Sequence, residues 1–218
     1  MQVKLLIFDL DGTLVDTSRD ITNALNYAIK PYGMKELTVE ETIKLIGEGI
    51  SSLIKKLLGE DKIQIYDEVK QRFLDHYSEH LTDYSKVYPQ VRETLEALGN
   101  YKKAIISNKM ENLSEKLLDE LDLRRYFNMI AGSDTAPERK PSPVPVRYVC
   151  SKLGVEPQES IMIGDSNFDI EAGKMAGAKT IAVSYGYRDI KYLTGADFII
   201  DRFNELLPIL DITSYKLI

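Results

Sequence analysis

The sequence is short of cysteine, histidine and tryptophan, has no excess of positive charge and no long apolar run, and each shortage removes a class of protein. One cysteine in 218 residues, Cys150, allows no disulfide framework within the chain. It falls at helical spacing with Val146, Val149 and Leu153, the position of a core thiol rather than a nucleophile. Lysine and arginine number 28 against 34 acids, a net charge of -6, which argues against a nucleic-acid surface. No segment stays apolar long enough to span a bilayer, and the N-terminus enters a strand pattern without a signal-peptide layout, so a cytoplasmic protein is expected. There is no internal repeat. What the chain does have is 44% hydrophobic residues, enough to bury a sizeable core.

The stretch that organises the rest is VKLLIFDLDGTLVD, residues 3–16. Val3, Leu5, Leu6, Ile7 and Phe8 form a β-favouring run suited to a strand buried on both faces of a parallel sheet. It ends in Asp9 and Asp11, then Gly12 and Thr13, at the carboxyl edge where open α/β sheets place their ligands. Two acids beside a dry core need compensation, and a hard divalent cation such as Mg2+ would supply it. From Thr17 to about Ser85 the pattern is helical. Ile21, Leu25, Ala28 and Ile29 recur at helical spacing, Thr38 with Glu41 forms a capping box opening a helix through Ile46, and the stripe breaks at Gly47 to Gly49 before resuming at Ile50, Leu53 and Leu57. His76, Glu79 and His80 spell the H-x-x-E-H of some zinc peptidases, but DHYSEHLTDYS reads as the polar, solvated end of an amphipathic helix.

The α/β pattern then returns. A strand over Tyr101 to Ile106 leads into Ser107, Asn108 and Lys109; Asn128 to Gly132 makes a further strand; RKPSP follows in a stiffened loop, with Lys140 and Arg139 both available as a cation. A strand over Ser160 to Ile163 reaches Gly164 and Asp165, with Asp169 one turn into the next helix. Thr180 to Val183 and Phe198 to Ile200 are expected as strands, and Phe203 to Leu210 as a helix interrupted near Pro208. The Tyr185-Gly186-Tyr187 loop receives no role.

DLDGT, SNK, RKPSP and GDSNFD, in that order, resemble the four motifs of the haloacid dehalogenase superfamily in the form its phosphatases use. The resemblance implies an α/β core of residues 1–16 and 86–218, a Rossmann-like parallel sheet, with an inserted α-helical cap over residues 17–85. It implies that Asp9 is the nucleophile and Asp11 the general acid and base, that Thr13 offers its hydroxyl, and that Ser107 with the Asn108 N–H binds a phosphoryl oxygen. The resemblance implies further that Lys140 offsets the repulsion between Asp9 and the phosphate, and that Asp9, the Asp11 carbonyl and Asp165 hold Mg2+, with Asp169 behind them or acting through water. Within the superfamily, SNK, KPSPVP, GDSNFDI and IGEGISSLI resemble the phosphoglycolate phosphatases most. The helix start at Gly49 to Ser52 could take a substrate carboxylate, against the charge of Glu48. Rival readings are a pyrophosphatase or a nucleotide or sugar phosphatase, a β-phosphoglucomutase-like mutase, a dehalogenase, and a non-catalytic phosphate-binding regulator. The expected partner is a small phosphorylated substrate, with no nucleic acid or membrane, and the chain acting as a monomer or homodimer.

Overall fold

The computed structural model describes residues 2–215. Strand β1 (Leu5–Phe8) lies at the centre of a six-stranded, wholly parallel sheet. On one side stand β4 (Lys102–Ile106) and then β5 (Met129–Ala131); on the other stand β6 (Ser160–Gly164), β7 (Lys179–Val183) and β8 (Phe198–Ile200). The chain fills one half and then crosses back past β1 to fill the other, which opens a crevice at the carboxyl ends of β1, β4 and β6.

The run LLIF is apolar throughout because both of its faces are covered. Leu5 and Ile7 pack with Val146, Val149 and Cys150 of α7 (Val144–Leu153) and Ala172 of α8 (Asn167–Ala176). Leu6 and Phe8 face the opposite way, toward Leu95 of α5 (Val91–Ala97), Leu117 of α6 (Glu111–Glu120) and Phe203. Cys150 is therefore a core thiol, as its spacing predicts.

Within residues 17–85 the chain makes four α-helices, α1 (Ser18–Ile29), α2 (Val39–Ile43), α3 (Ile50–Leu58) and α4 (Tyr66–Glu79). They leave and return through a two-stranded antiparallel ribbon, β2 (Val15–Asp16) against β3 (Lys86–Val87), whose two-residue strands are too short to read from sequence periodicity. Buried Asp20 ties the same junction by accepting from the N–H groups of Tyr84 and Ser85 and from the Ser85 hydroxyl. Leu25, Leu53 and Phe73 of these helices join the apolar cluster that runs under the sheet.

Two elements differ from expectation. The Thr38–Glu41 capping box forms, but α2 ends at Ile43 rather than Ile46, and the chain turns through Gly47 and Gly49 before α3. Helix α9 (Leu206–Tyr215) runs through Pro208 without interruption, because Pro208 is its third residue and first-turn N–H groups have no acceptor within the helix. No helix among the described residues is long and apolar enough to cross a membrane.

Phe8 is fully buried, with its ring 6.1 Å from that of Phe127 and 5.8 Å from that of Phe203. Phe8→Ala is expected to lower unfolding free energy by about 3–5 kcal/mol in urea titration. Phe198→Ala, on the exposed edge strand, should cost less than about 1 kcal/mol; equal losses would contradict the placement of the core.

Candidate active site

Parallel register brings the polar strand ends together. Phe8 pairs with Ile163 and with Ile105, so Asp9, Asp165 and Ser107 leave adjacent strands at one edge, and the Asp9 N–H donates to the Ile163 carbonyl at 2.8 Å. Carboxylate oxygens of Asp9, Asp165 and Asp169 lie within 4.8 Å of one another, all three residues buried.

Lys140 crosses from the loop before α7 into this cluster. Its Nζ donates to Asp9 Oδ1 at 2.7 Å, Asp169 Oδ1 at 2.6 Å and the Ile106 carbonyl at 2.8 Å, which uses all three N–H groups. Arg139 points elsewhere, toward Ser52 Oγ at 3.3 Å, so the lysine reaches the acids and the arginine does not. Burial alone would lower the Lys140 pKa, but the carboxylates of Asp169 and Asp9 raise it above the usual lysine range. Burial pushes Asp9 up to about 7 despite Lys140, and burial with the charges of Asp9 and Asp169 raises Asp165 well above the ordinary carboxylate value. One ammonium among three carboxylates leaves the cluster short of positive charge.

The hydrogen bonds separate the acids. Both Asp169 oxygens are engaged, Oδ1 by Lys140 and Oδ2 by the Ser166 N–H and hydroxyl at the start of α8. Asp9 Oδ2 and Asp165 Oδ1 accept no hydrogen bond among the described residues. An all-oxygen, anionic donor set of this kind fits a hard divalent cation, with Asp9 and Asp165 as direct ligands and Asp169 behind them. Close backbone approach encloses Asp165: a Cβ on Gly12 would fall 2.5 Å from its Oδ2, and one on Gly186 2.2 Å from its Cβ.

Asp11 is half-buried and separate from that triad. Its Oδ1 accepts from Thr17 Oγ1 at 2.6 Å and Lys109 Nζ at 2.8 Å. Asn108 is a brace: its Nδ2 donates to the carbonyls of Gly47 and Lys140, and its Oδ1 accepts from the Lys140 N–H. Ser107 lines the cavity, and its Oγ accepts from the Lys109 N–H at 3.2 Å. Thr13 is fully buried but does not line the cavity, and its hydroxyl has no partner among the described residues. Gly49, at φ 82°, opens α3 at the cavity wall, where a Cβ would meet the Asn108 carbonyl at 2.7 Å. The nearby charge of Glu48 is paired with Lys56 at 2.6 Å.

Sequence reasoning missed four residues. Lys109 was visible only as the third polar residue after a strand; its Nζ reaches Asp11 and, at 2.7 Å, Tyr77 Oη. Tyr77 lies on the buried face of α4 with Val69 and Phe73, and burial pushes its phenol up to about 12 although Lys109 opposes the shift. Tyr187 donates its N–H to Asp165 Oδ2 at 2.6 Å and accepts from the Thr17 N–H at 2.8 Å, so the loop without a role fastens two sides of the site. Arg188 donates to the carbonyls of Ile43 and Ile46, holding the α2–α3 turn. The H-x-x-E-H residues form no three-ligand group among the described residues. His76 is stacked between Tyr27 and His80, each ring 4.3 Å away, and is less solvated than a polar helix end implies.

The chain is similar to known proteins over nearly its whole length. A phosphoglycolate phosphatase of Aquifex aeolicus is 41% identical over 211 residues, covering 96% of this chain and 97% of the relative. One of Chromobacterium violaceum is 38% identical over 215 residues, covering 95% and 96%. The crystal structure of a predicted phosphoglycolate phosphatase from Haemophilus somnus superposes with a TM-score of 0.89 at 32% identity, over 96% of this chain and 98% of that one. Residues 6–183 match the family described as haloacid dehalogenase-like hydrolase, and the chain belongs to that family of enzymes.

Proposed function

We propose that this chain is a Mg2+-dependent phosphatase that hydrolyses a small phosphate monoester, phosphoglycolate, through a phosphorylated Asp9. The observation that carries the reading is the buried group of Asp9, Asp165, Asp169 and Lys140 at the strand ends, lacking positive charge and presenting unpaired carboxylate oxygens to a cavity. The substrate assignment is supported by the names of the relatives.

The residues divide the work by position. Lys140, fixed on Asp9 and Asp169, lets the nucleophile and a phosphate dianion approach by offsetting their repulsion. Ser107 Oγ and the Asn108 N–H receive phosphoryl oxygens. Asp9 attacks phosphorus in line through a carboxylate oxygen, the bond from phosphorus to the ester oxygen breaks, and Asp11 gives the ester oxygen a proton. Water then attacks the same phosphorus while Asp11 takes its proton, the bond to Asp9 breaks, and phosphate leaves. Asp9, Asp165 and the Asp11 carbonyl would hold Mg2+, which when bound supplies charge stabilisation to the phosphoryl group. We read residues 17–85 as a cap hinged on the β2–β3 ribbon, excluding water from the acyl-phosphate. The lone buried thiol suits a cytoplasmic enzyme.

Asp9→Asn should lower kcat by at least about 10³-fold with the melting transition retained. Mass spectrometry of acid-quenched wild type should find phosphate on the peptide containing Asp9; turnover without that adduct would contradict the pathway. A second expectation concerns pH. Folded Asp9 keeps its proton to about pH 7, whereas the unfolded chain loses it near 3.8, so this group's stabilising contribution is full below 3.8 and declines as pH rises through 7. Mg2+ offsets that loss. At saturating Mg2+ the rise in Tm should therefore be larger near about pH 8 than near about pH 5.5, with roughly 3 kcal/mol at a hundredfold excess over Kd. A shift that is equal at both pH values, or larger in acid, would contradict a cation seated on Asp9.

A further inference from the structure

Lys109, Lys140 and Arg188 are the cationic side chains that line the cavity, and two of them are committed. Lys140 has all three N–H groups on Asp9, Asp169 and the Ile106 carbonyl. Arg188 holds the carbonyls of Ile43 and Ile46 in the α2–α3 turn. Lys109 is different. Its buried ammonium donates to Asp11 Oδ1 at 2.8 Å and Tyr77 Oη at 2.7 Å, and its third N–H has no acceptor among the described residues.

Its location has a chemical meaning if the preceding reading holds, on which this inference rests. Asp11 serves the ester oxygen, and in phosphoglycolate a single methylene separates that oxygen from the carboxylate. A cation one hydrogen bond from Asp11 therefore stands beside the place the carboxylate must occupy. The start of α3 stands elsewhere, against the main chain of Asn108, on the side assigned to the phosphoryl group. The carboxylate also needs a cation of its own, because the site already holds four acidic side chains and Lys140 has no donor left.

We propose that Lys109 is a specificity-determining residue that receives the substrate's carboxylate through its uncommitted N–H, held in line by Tyr77 of α4. Because Tyr77 comes from the helical segment, the carboxylate seat is complete only when α4 packs over the sheet. Discrimination thus depends on the same closure that encloses the phosphoryl group.

The test compares kcat/KM for 2-phosphoglycolate and for ethyl phosphate, with Mg2+ present, in the wild type, Lys109→Met, Lys109→Gln, Lys109→Arg and Arg188→Met. Ethyl phosphate has an alkoxide leaving group of the same kind and no carboxylate, so any disturbance of Asp11 affects both substrates and cancels in their ratio. The ratio should fall about 10- to 100-fold in Lys109→Met and Lys109→Gln, mainly through KM for phosphoglycolate, the loss expected for one charged hydrogen bond. Lys109→Arg should keep most of the preference, and Arg188→Met should keep the wild-type ratio. If Lys109→Met does not fold, Lys109→Gln, which retains donors for Asp11 and Tyr77, decides the matter alone. A wild-type preference that survives in the neutral Lys109 variants, or that collapses only in Arg188→Met, overturns the inference and leaves the substrate reading standing. A wild type with no preference for phosphoglycolate overturns both.

Discussion

A single ammonium, that of Lys140, buried between Asp9 and Asp169, is the contact around which the rest of the site is arranged. Burying a charge is tolerated only when its hydrogen bonds are met, and Lys140 meets all of its own with two carboxylates and one carbonyl. Removing one partner from such a pair typically costs about 3–5 kcal/mol, so the loop carrying Lys140, the end of β1 and the first turn of α8 are held together by one side chain. Asn108 adds to this by gripping the Lys140 main chain on both its N–H and its carbonyl. The ammonium leaves one oxygen of Asp9 and one of Asp165 without a hydrogen bond among the described residues, the donor set that the proposed cation would take.

The helical segment is part of the same arrangement. Gly47 accepts from Asn108, Tyr77 accepts from Lys109, and the carbonyls of Ile43 and Ile46 accept from Arg188, so two separate parts of residues 17–85, the turn over 43–47 and α4, touch polar groups at the sheet edge. Each contact is a hydrogen bond across the cavity. Contacts of this sort are lost and remade more readily than a packed apolar interface, and they sit where a substrate would enter. Opening and closing on the short β2–β3 ribbon would exchange them for contacts to the ligand.

Much of this was legible in the chain itself. The apolar run before Asp9 identified a doubly covered strand, because strands with helices on both faces have no polar alternation to display. The acids and Ser107 could be placed at one edge because each follows directly on such a run, and parallel register does the rest. Other parts were not legible, for physical reasons. The residues themselves left Lys140 and Arg139 both open, because adjacent positions carry no signal of which side chain turns inward, and only the family resemblance chose Lys140. Lys109, Tyr77 and Tyr187 come together over long sequence separations through single hydrogen bonds, and neither spacing nor composition records those. Pro208 looked like a break because its place in the helix could not be counted until the helix start was known.

The account stands or falls on a cation shared by the ends of β1 and β6. A crystal structure of the protein grown with Mn2+ as an anomalous scatterer tests it most directly. The predicted result is one strong anomalous peak bonded to carboxylate oxygens of Asp9 and Asp165, with Lys140 still on Asp169. A protein that hydrolyses phosphate esters in Mn2+ but whose crystals show no peak there, or a peak held by other residues, would contradict it.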